Sequence, residues 1–565
     1  MPQFELTTID LVVVAAYVVF IVWVGFYVSR RTETTDDYFL AGRSLTWWLI
    51  GFSLFASNVS SSTLMGLSSS AFGTGISVYN YEWMAALVLI VFIVFFLPFY
   101  LRTRVYTMPE FLERRFDARS RYYFSALLIL MNITIDTAAA LYAGGLVVQL
   151  IYPSIPLWAS VIVLGILAGL YTIAGGLKAV VYTDAVQAVL LLVGALLVAI
   201  LSFNAAGSWE AVTSAVGSDG QLLVPPEDLS VVMPASDPVM PWPGLITGVF
   251  LLGFYFWGTN QFMVQRTLAA KDLNHGRWGA LFAGLLKLPI IFIMVLPGIF
   301  ARLIYRPETH PEIARQLAAN SDLVFPTMMF DLLPVGIRGL IIAALVAAIM
   351  SSVDSTLNSA STLVTMDFIK KLRPDASNRT LVIAGRIVTF VFMALAIIWA
   401  PQIVNFPNIW TYLQQMLAYL APPVVACFLV GIFWKRANRH SAFAALIVGH
   451  LAAAVVFILA VGTESIIVQT GVLSAEQMQR AAAGTPVLHF LYLTPLLLVI
   501  SVLAMVAVSL LTEKPDAATV DELTWSPAFF RAETKELAGL PWYQNYRYQT
   551  VGMLLLIALV VGMFW

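Results

Sequence analysis

The chain has 565 residues, with 31 Lys and Arg against 32 Asp and Glu, a formal net charge of −1. It is 60% hydrophobic and only 11% charged, with a mean hydropathy of +0.85, where soluble domains carry roughly 25% charge. This excludes a soluble globular protein and defines a polytopic membrane protein. One cysteine, Cys427, lies in an apolar run, which excludes a disulfide framework and a cysteine zinc site. His275, His310, His440, His450 and His489 form no HExxH or similar metal spacing. The first apolar stretch, 9–28, is long enough to span and has no basic n-region before it, so no cleavable signal peptide is expected.

About 14 apolar segments of spanning length follow in order. They lie near 8–29, 46–73, 78–101, 123–151, 157–175, 182–205, 243–265, 277–305, 336–368, 382–401, 408–434, 440–462, 487–512 and 547–565. Basic residues orient them, because Lys and Arg are retained on the cytoplasmic side. Arg30, Arg31 and Arg43 follow the first span, which puts the N-terminus outside. The 102–121 loop holds six arginines, and Arg266, Lys271 and Arg277 are expected to share a later loop. Further basic clusters are Lys370, Lys371, Arg373, Arg379 and Arg386, then Lys435, Arg436 and Arg439. External loops receive a thinner scatter: Arg302, Arg306, Arg315, Arg338 and Arg480. The 206–241 loop has five acidic residues and no basic one, as an external loop allows. An even number of spans returns Trp565 to the outside. Strict alternation leaves some basic loops on the wrong side, so one or two segments are split or merged. The polar stretch 513–546 is expected to be a cytoplasmic connector.

Two segments at membrane depth contradict their surroundings. Residues 51–75, GFSLFASNVSSSTLMGLSSSAFGTG, and 347–365, AAIMSSVDSTLNSASTLVT, are dense in Ser, Thr and Asn. Such groups are tolerated in a bilayer where they face a cavity, an ion or one another. The two segments are expected to form two walls of one sodium site. Sodium is a hard cation that takes neutral oxygens. Ser351 and Ser352 would supply hydroxyls, and an unwound helix would release carbonyls near Ala56, Val59 and Ala348. Each segment sits in a larger unit, 46–206 and 243–434, and five spans in the first give the two units opposite topology. Inverted repeats with interrupted leading helices point to a secondary transporter. Gly253, Gly258, Thr259 and Asn260 mark weak points in the second leading helix. The expected layout is an N-terminal helix and cytoplasmic loop (1–45), a first repeat (46–206), an external loop (207–242), a second repeat (243–434) and peripheral helices (435–565).

Five charges lie within these segments: Glu82, Asp136, Asp184, Lys287 and Asp354. Each needs a partner, a cavity or an ion. Glu82 and Lys287 are expected to neutralise each other while hydrogen-bonding a polar solute. The carboxylates of Asp184 and Asp354 near the sodium-site oxygens leave room for a second cation site, and each could carry a proton in place of sodium. No nucleophile–base pair is recognisable, so an enzyme is not expected. A channel would show a continuous polar stripe through several helices, and a sensor would carry a cytoplasmic output domain.

Motifs in order along the chain carry a resemblance: DYFLAGRSLTWW (37–48), ASNVSSSTLMG (56–66), YEWM (81–84), YTMPEFLERRF (106–116), AGGLKAVVYTDAVQ (174–187), QRTLAAK (265–271), LKLPIIFIMVLPGI (286–299), SSVDSTLNSASTLVTMD (351–367) and YLAPPVVACFLVGIFWKR (419–436). The chain resembles the sodium/solute symporter family, closest to the sodium/glucose cotransporters and especially the bacterial sodium/galactose symporter type. The resemblance implies an all-α membrane protein with a LeuT-like five-plus-five inverted-repeat core, alternating access, and sodium as the coupling ion. It implies a sodium site at Ala56, Val59, Ala348, Ser351 and Ser352, with a further cation site at Asp184, Asp354 and Ser355. It places the solute at Asn58, Thr63, Glu82, Asp136, Phe256, Trp257, Lys287, Trp410 and Gln414. Thr63, Ala85, Gly253 and Phe256 depart from a glutamine, a serine, an asparagine and a tyrosine, and Trp410 stands for a phenylalanine, so galactose does not follow. A neutral sugar or polyol still fits. Sialic acid or another organic anion is the rival, opposed by Glu82, Asp136 and Lys287, which sum to −1. The resemblance also implies a plasma-membrane protein, in a bacterial inner membrane, with no obligatory protein partner and no nucleic acid.

Overall fold

The computed structural model describes residues 6–30, 34–152, 154–237, 239–405, 409–461 and 489–565. Within them the backbone is helical, and β-structure is confined to isolated bridges. The helices that matter for function are α1 (Thr8–Ser29), α2 (Trp47–Asn58), α3 (Ser61–Thr74), α4 (Asn80–Phe95), α5 (Met108–Arg115), α6 (Ala118–Met131), α7 (Ala138–Ile151) and α8 (Leu157–Ala206). They continue as α9 (Gln261–Leu268), α10 (Leu273–Lys287), α11 (Leu296–Ile304), α12 (Ile337–Leu363), α13 (Asn378–Trp399), α14 (Ile409–Phe433), α15 (Arg439–Val461), α16 (Phe490–Leu511), α17 (Pro527–Leu537) and α18 (Tyr546–Gly562).

Among the described residues, 9 helices are long and apolar enough to cross a bilayer, and the pair Leu273–Lys287 and Ile291–Ile304, bent by 40°, makes one more. Leu157–Leu170 and Tyr546–Gly562 are apolar but shorter. The two other apolar segments of the sequence, 46–73 and 243–265, are the ones whose helices are broken. Segments 157–175 and 182–205 are two helices joined by a sharp break rather than a long loop: within the range given as α8 the backbone leaves the helical region at Gly176 (φ 57°, ψ −150°). A Cβ there would lie 2.3 Å from the Tyr38 carbonyl oxygen, so the kink and the close approach both require glycine.

The centre of the molecule is α12. Of its apolar window 89% is buried against protein, against 11% for α1 and 33% for α13, which therefore face lipid. α8 packs along α12, and α1 closes over both. Small residues allow that approach, since α12 reads AALVAAIMSSVDST through its middle.

Contacts at the helix ends sort into two sides. On one, the Asp10 carboxylate accepts from the amides of Gly336 and Gly339, each at 2.8 Å. Arg302 there donates to the carbonyls of Ala71 and Phe72 and pairs with Asp228. The Val231 amide meets the Phe564 carbonyl at 2.8 Å on the same side. On the other, Arg43 donates to the Arg104 carbonyl at 2.8 Å, and Arg115 to those of Gly431, Trp434 and Ala437. Two of the expected loop cations are not in a loop. Arg266 and Arg277 lie inside α9 and α10 and are buried. Arg31 and Arg480 lie outside the described residues.

Candidate functional site

The first break separates α2 from α3. Val59 leaves the helical region (φ −83°, ψ 78°), and the Ser60 amide turns back to the Asn58 carbonyl at 3.0 Å. Ser60 then caps α3, its hydroxyl accepting from the Thr63 amide. With the Ser60 amide redirected, the Ala56 carbonyl loses its intrahelical donor. The Ser351 hydroxyl of α12 reaches that carbonyl at 2.9 Å. Ser351 also lies 3.1 Å from the Ala348 carbonyl, and the Ser352 hydroxyl 3.0 Å from the same oxygen. Four oxygens from the two polar segments thus converge at the break, a donor set suited to a hard monovalent cation.

The second break is at Asn260 (φ −70°, ψ 129°), after a π-turn over Tyr255–Thr259, and Asn260 caps α9 through its side chain. A further π-turn, Asn132–Thr137, lies between α6 and α7 and carries Asp136. Such wide turns recur at functional sites, where they re-aim a side chain.

These breaks enclose a cavity of about 120 Å³. Asn58, Thr63, Glu82, Asp136, Phe256, Trp257 and Gln414 line it, together with the departing positions Ala85 and Gly253. Ser352 lines it as well. Lys287 stands behind the wall, where its ammonium donates to Glu82 Oε2 at 2.5 Å and to the Asn58 amide oxygen. Its Nζ also lies 5.8 Å from the centre of the Trp257 ring, within cation–π range. Glu82 and Lys287 are both nearly inaccessible. The Trp410 side chain lies outside the described residues.

Beside the sodium-type oxygens, the Asp184 carboxylate accepts from Ser53 at 2.5 Å, Ser57 at 3.2 Å and Arg266 at 3.0 Å. Arg266 also donates to the Ser355 hydroxyl, which lies 3.0 Å from Ser57 and 3.2 Å from Asp354 Oδ1. The structure therefore gathers Asp184, Ser355 and Asp354 in one place, but with a guanidinium among them. Sequence reasoning missed that cation because it placed Arg266 in a loop. The signal was Asn260, a helix cap that carries the helix on through Arg266. It also missed the apolar lining of Tyr81, Met84, Leu252 and Leu417, which no spacing rule distinguishes from ordinary core.

Residues 38–449 match the model of the sodium:solute symporter family. The chain is 36% identical over 564 residues to sodium/glucose cotransporter 4 of Danio rerio, covering 96% of this chain and 84% of that one. It is 37% identical over 549 residues to sodium/myo-inositol cotransporter 2 of Mus musculus, covering 93% and 80%. Its fold is that of a Na⁺-coupled sialic acid symporter solved in a substrate-bound outward-open state, with a TM-score of 0.75, 24% identity, and coverage of 90% of this chain and 99% of that one. The protein belongs to the sodium:solute symporter family, and sodium is its coupling ion.

Proposed function

We propose that the protein imports a neutral sugar or polyol together with sodium by alternating access. The observation that carries this is the Asn58–Glu82–Lys287 cluster at the cavity wall. Its charges cancel, it keeps donors and acceptors for hydroxyl groups, and it faces the aromatic rings of Phe256 and Trp257. Gln414 adds an amide, and Asp136 accepts from hydroxyls across the space. Relatives named for glucose and myo-inositol transport support the same class. The likeness to a sialic acid symporter favours a second reading, an organic anion. The cavity opposes it, since Glu82 and Asp136 face it with only Lys287 to balance them.

Sodium binds Ala56, Val59, Ala348, Ser351 and Ser352, tying the broken helix α2–α3 to α12 and favouring the outward-facing form. The solute then meets Glu82, Lys287, Trp410 and Gln414, closure follows, and both leave to the cytoplasm. Each ligand shifts the equilibrium by its differential affinity for the two states. A charge crossing 100 mV contributes about 2.3 kcal/mol. A tenfold sodium gradient adds about 1.4, and together they support roughly a 500-fold solute gradient per ion. Asp184, Asp354 and Ser355 form the second cation region, where Arg266 supplies the positive charge in the conformation described here. The scaffold is 14 helices with two inverted repeats, 46–206 and 243–434, flanked by 1–45 and 435–565 and separated by the loop 207–242. It sits in the plasma membrane with both termini outside. The Thr8 end of α1 and the Gly562 end of α18 lie near Asp10, Asp228 and Arg302, away from the denser basic clusters, which supports this orientation.

The test is a panel of glucose, galactose, myo-inositol and sialic acid in proteoliposomes, with and without an inward sodium gradient. Sodium-dependent uptake of a neutral member is expected. Ser352→Ala should raise the half-saturating sodium concentration at least tenfold. Uptake indifferent to sodium, or confined to sialic acid, would overturn the reading.

A further inference from the structure

Below the sodium-type oxygens, α12 carries Ser351, Ser355, Asn358 and Thr362 at spacings of four, three and four, so they lie on one face. Thr365 follows in the π-turn Val364–Ile369. All are at most 1% exposed. From Ser355 to Thr365 this stripe runs about 15 Å along the axis. Several buried polar atoms on or facing it have no hydrogen-bond partner among the described residues: both amide atoms of Asn358, Thr365 Oγ1, Gln265 Oε1 and Asp184 Oδ1. Gln265 faces the stripe directly, its amide nitrogen donating to the Thr362 hydroxyl at 2.9 Å. Buried polar groups in native proteins are nearly always satisfied, by protein, water or an ion. Five such atoms gather along this seam, where water or an ion would satisfy them. Two residues beyond Thr365, Asp367 accepts from Thr107 at 2.7 Å, Ser125 at 2.5 Å and Arg121 at 2.6 Å. Arg121 also pairs with Glu113, which meets the half-exposed Lys371 at the surface. The seam's head is shut by the guanidinium of Arg266, which bridges Asp184 and Ser355.

We propose that this stripe is the route by which the sodium ion leaves for the cytoplasm, with the amide oxygens of Asn358 and Gln265 as a way-station distinct from the sodium site itself. The proposal rests on the assignment of that site to Ala56, Ala348, Ser351 and Ser352. The ion sheds oxygens at the helix break, takes amide and water oxygens along α12, and emerges near Asp367. The lane opens when the movement of α9 draws Arg266 off Ser355.

The experiment compares two modes of one protein in proteoliposomes, using the panel solute that the wild type moves fastest. Net uptake needs sodium release on every turn. Solute exchange with saturating sodium on both sides does not. Asn358→Leu should slow net uptake at least tenfold while leaving exchange, and the half-saturating external sodium, within twofold. Asn358→Ser, which keeps an oxygen, should restore net uptake to within threefold. Thr365→Val, at the far end of the seam, should repeat the split if the leucine variant does not fold. Parallel loss of exchange and net uptake in these variants, or unchanged net uptake, would overturn the proposal. A wild-type protein whose uptake ignores sodium would instead defeat the transport reading, so the two failures are distinct.

Discussion

Lys287 and Glu82 show what a buried charge requires. Each is nearly inaccessible, and each is tolerated because the other lies against it. Removing one partner of such a pair strands the other, at a cost of about 3–5 kcal/mol. Lys287→Ala should therefore lower the thermal midpoint of the purified protein markedly, and adding Glu82→Gln should recover part of the loss. A double variant no more stable than Lys287→Ala would show that the pair is not coupled. The pair was legible in the sequence because each charge interrupts an apolar segment and their signs are opposite. Arg266 was not legible in the same way. It lies in QFMVQR, where the Asn260 cap is the one sequence sign that a helix carries it, and its neighbours Asp184, Ser53 and Ser355 show that it is buried.

At the level of helices, the breaks were foreshadowed by composition, though their geometry was not. The density of Ser and Asn around Val59 announced a disrupted helix, and Gly258, Thr259 and Asn260 announced the second. The π-turn at Asn132–Thr137 had no such herald, because widening a helix by one residue needs no Gly or Pro. The junction of 157–175 with 182–205 was hidden for the opposite reason. The spacing between the two segments suggests a connecting loop, whereas one residue, Gly176, with a positive φ makes the break between the two helices. A residue with a Cβ in that essentially glycine-only conformation costs roughly 1–3 kcal/mol from backbone alone, and here the Cβ would also strike the Tyr38 carbonyl. Gly176→Ala should destabilise the protein by at least that amount in thermal unfolding. An unchanged midpoint would mean that the kink relaxes.

Across the whole molecule, a second buried cluster ties the last helices to the bundle. Arg277 of α10 donates to Glu533 of α17, its guanidinium lies 4.0 Å from the centre of the Tyr546 ring, and Arg547 and Tyr546 reach Glu533 at 2.9 and 2.8 Å. Burial pushes the Glu533 carboxyl up, but Arg277, Tyr546 and Arg547 outweigh it and hold it below its usual range. A carboxyl depressed on folding contributes stability above its unfolded pKa and loses it as pH falls through the folded one. The 513–545 connector should therefore stay docked at neutral pH and loosen only below the ordinary carboxylate range, read as protease cleavage within it. Glu533→Gln should be cleaved already at pH 7. Equal protection of that variant and the wild type at pH 7 would remove the cluster's role.

Ser352 stands on the cavity wall, and its hydroxyl also meets the Ala348 carbonyl among the oxygens assigned to sodium. On the proposed assignment, one hydroxyl borders both cargoes. Reshaping this wall for a new passenger will alter the salt requirement of the carrier, so directed evolution toward unfamiliar nutrients should yield winners whose appetite for sodium has drifted too.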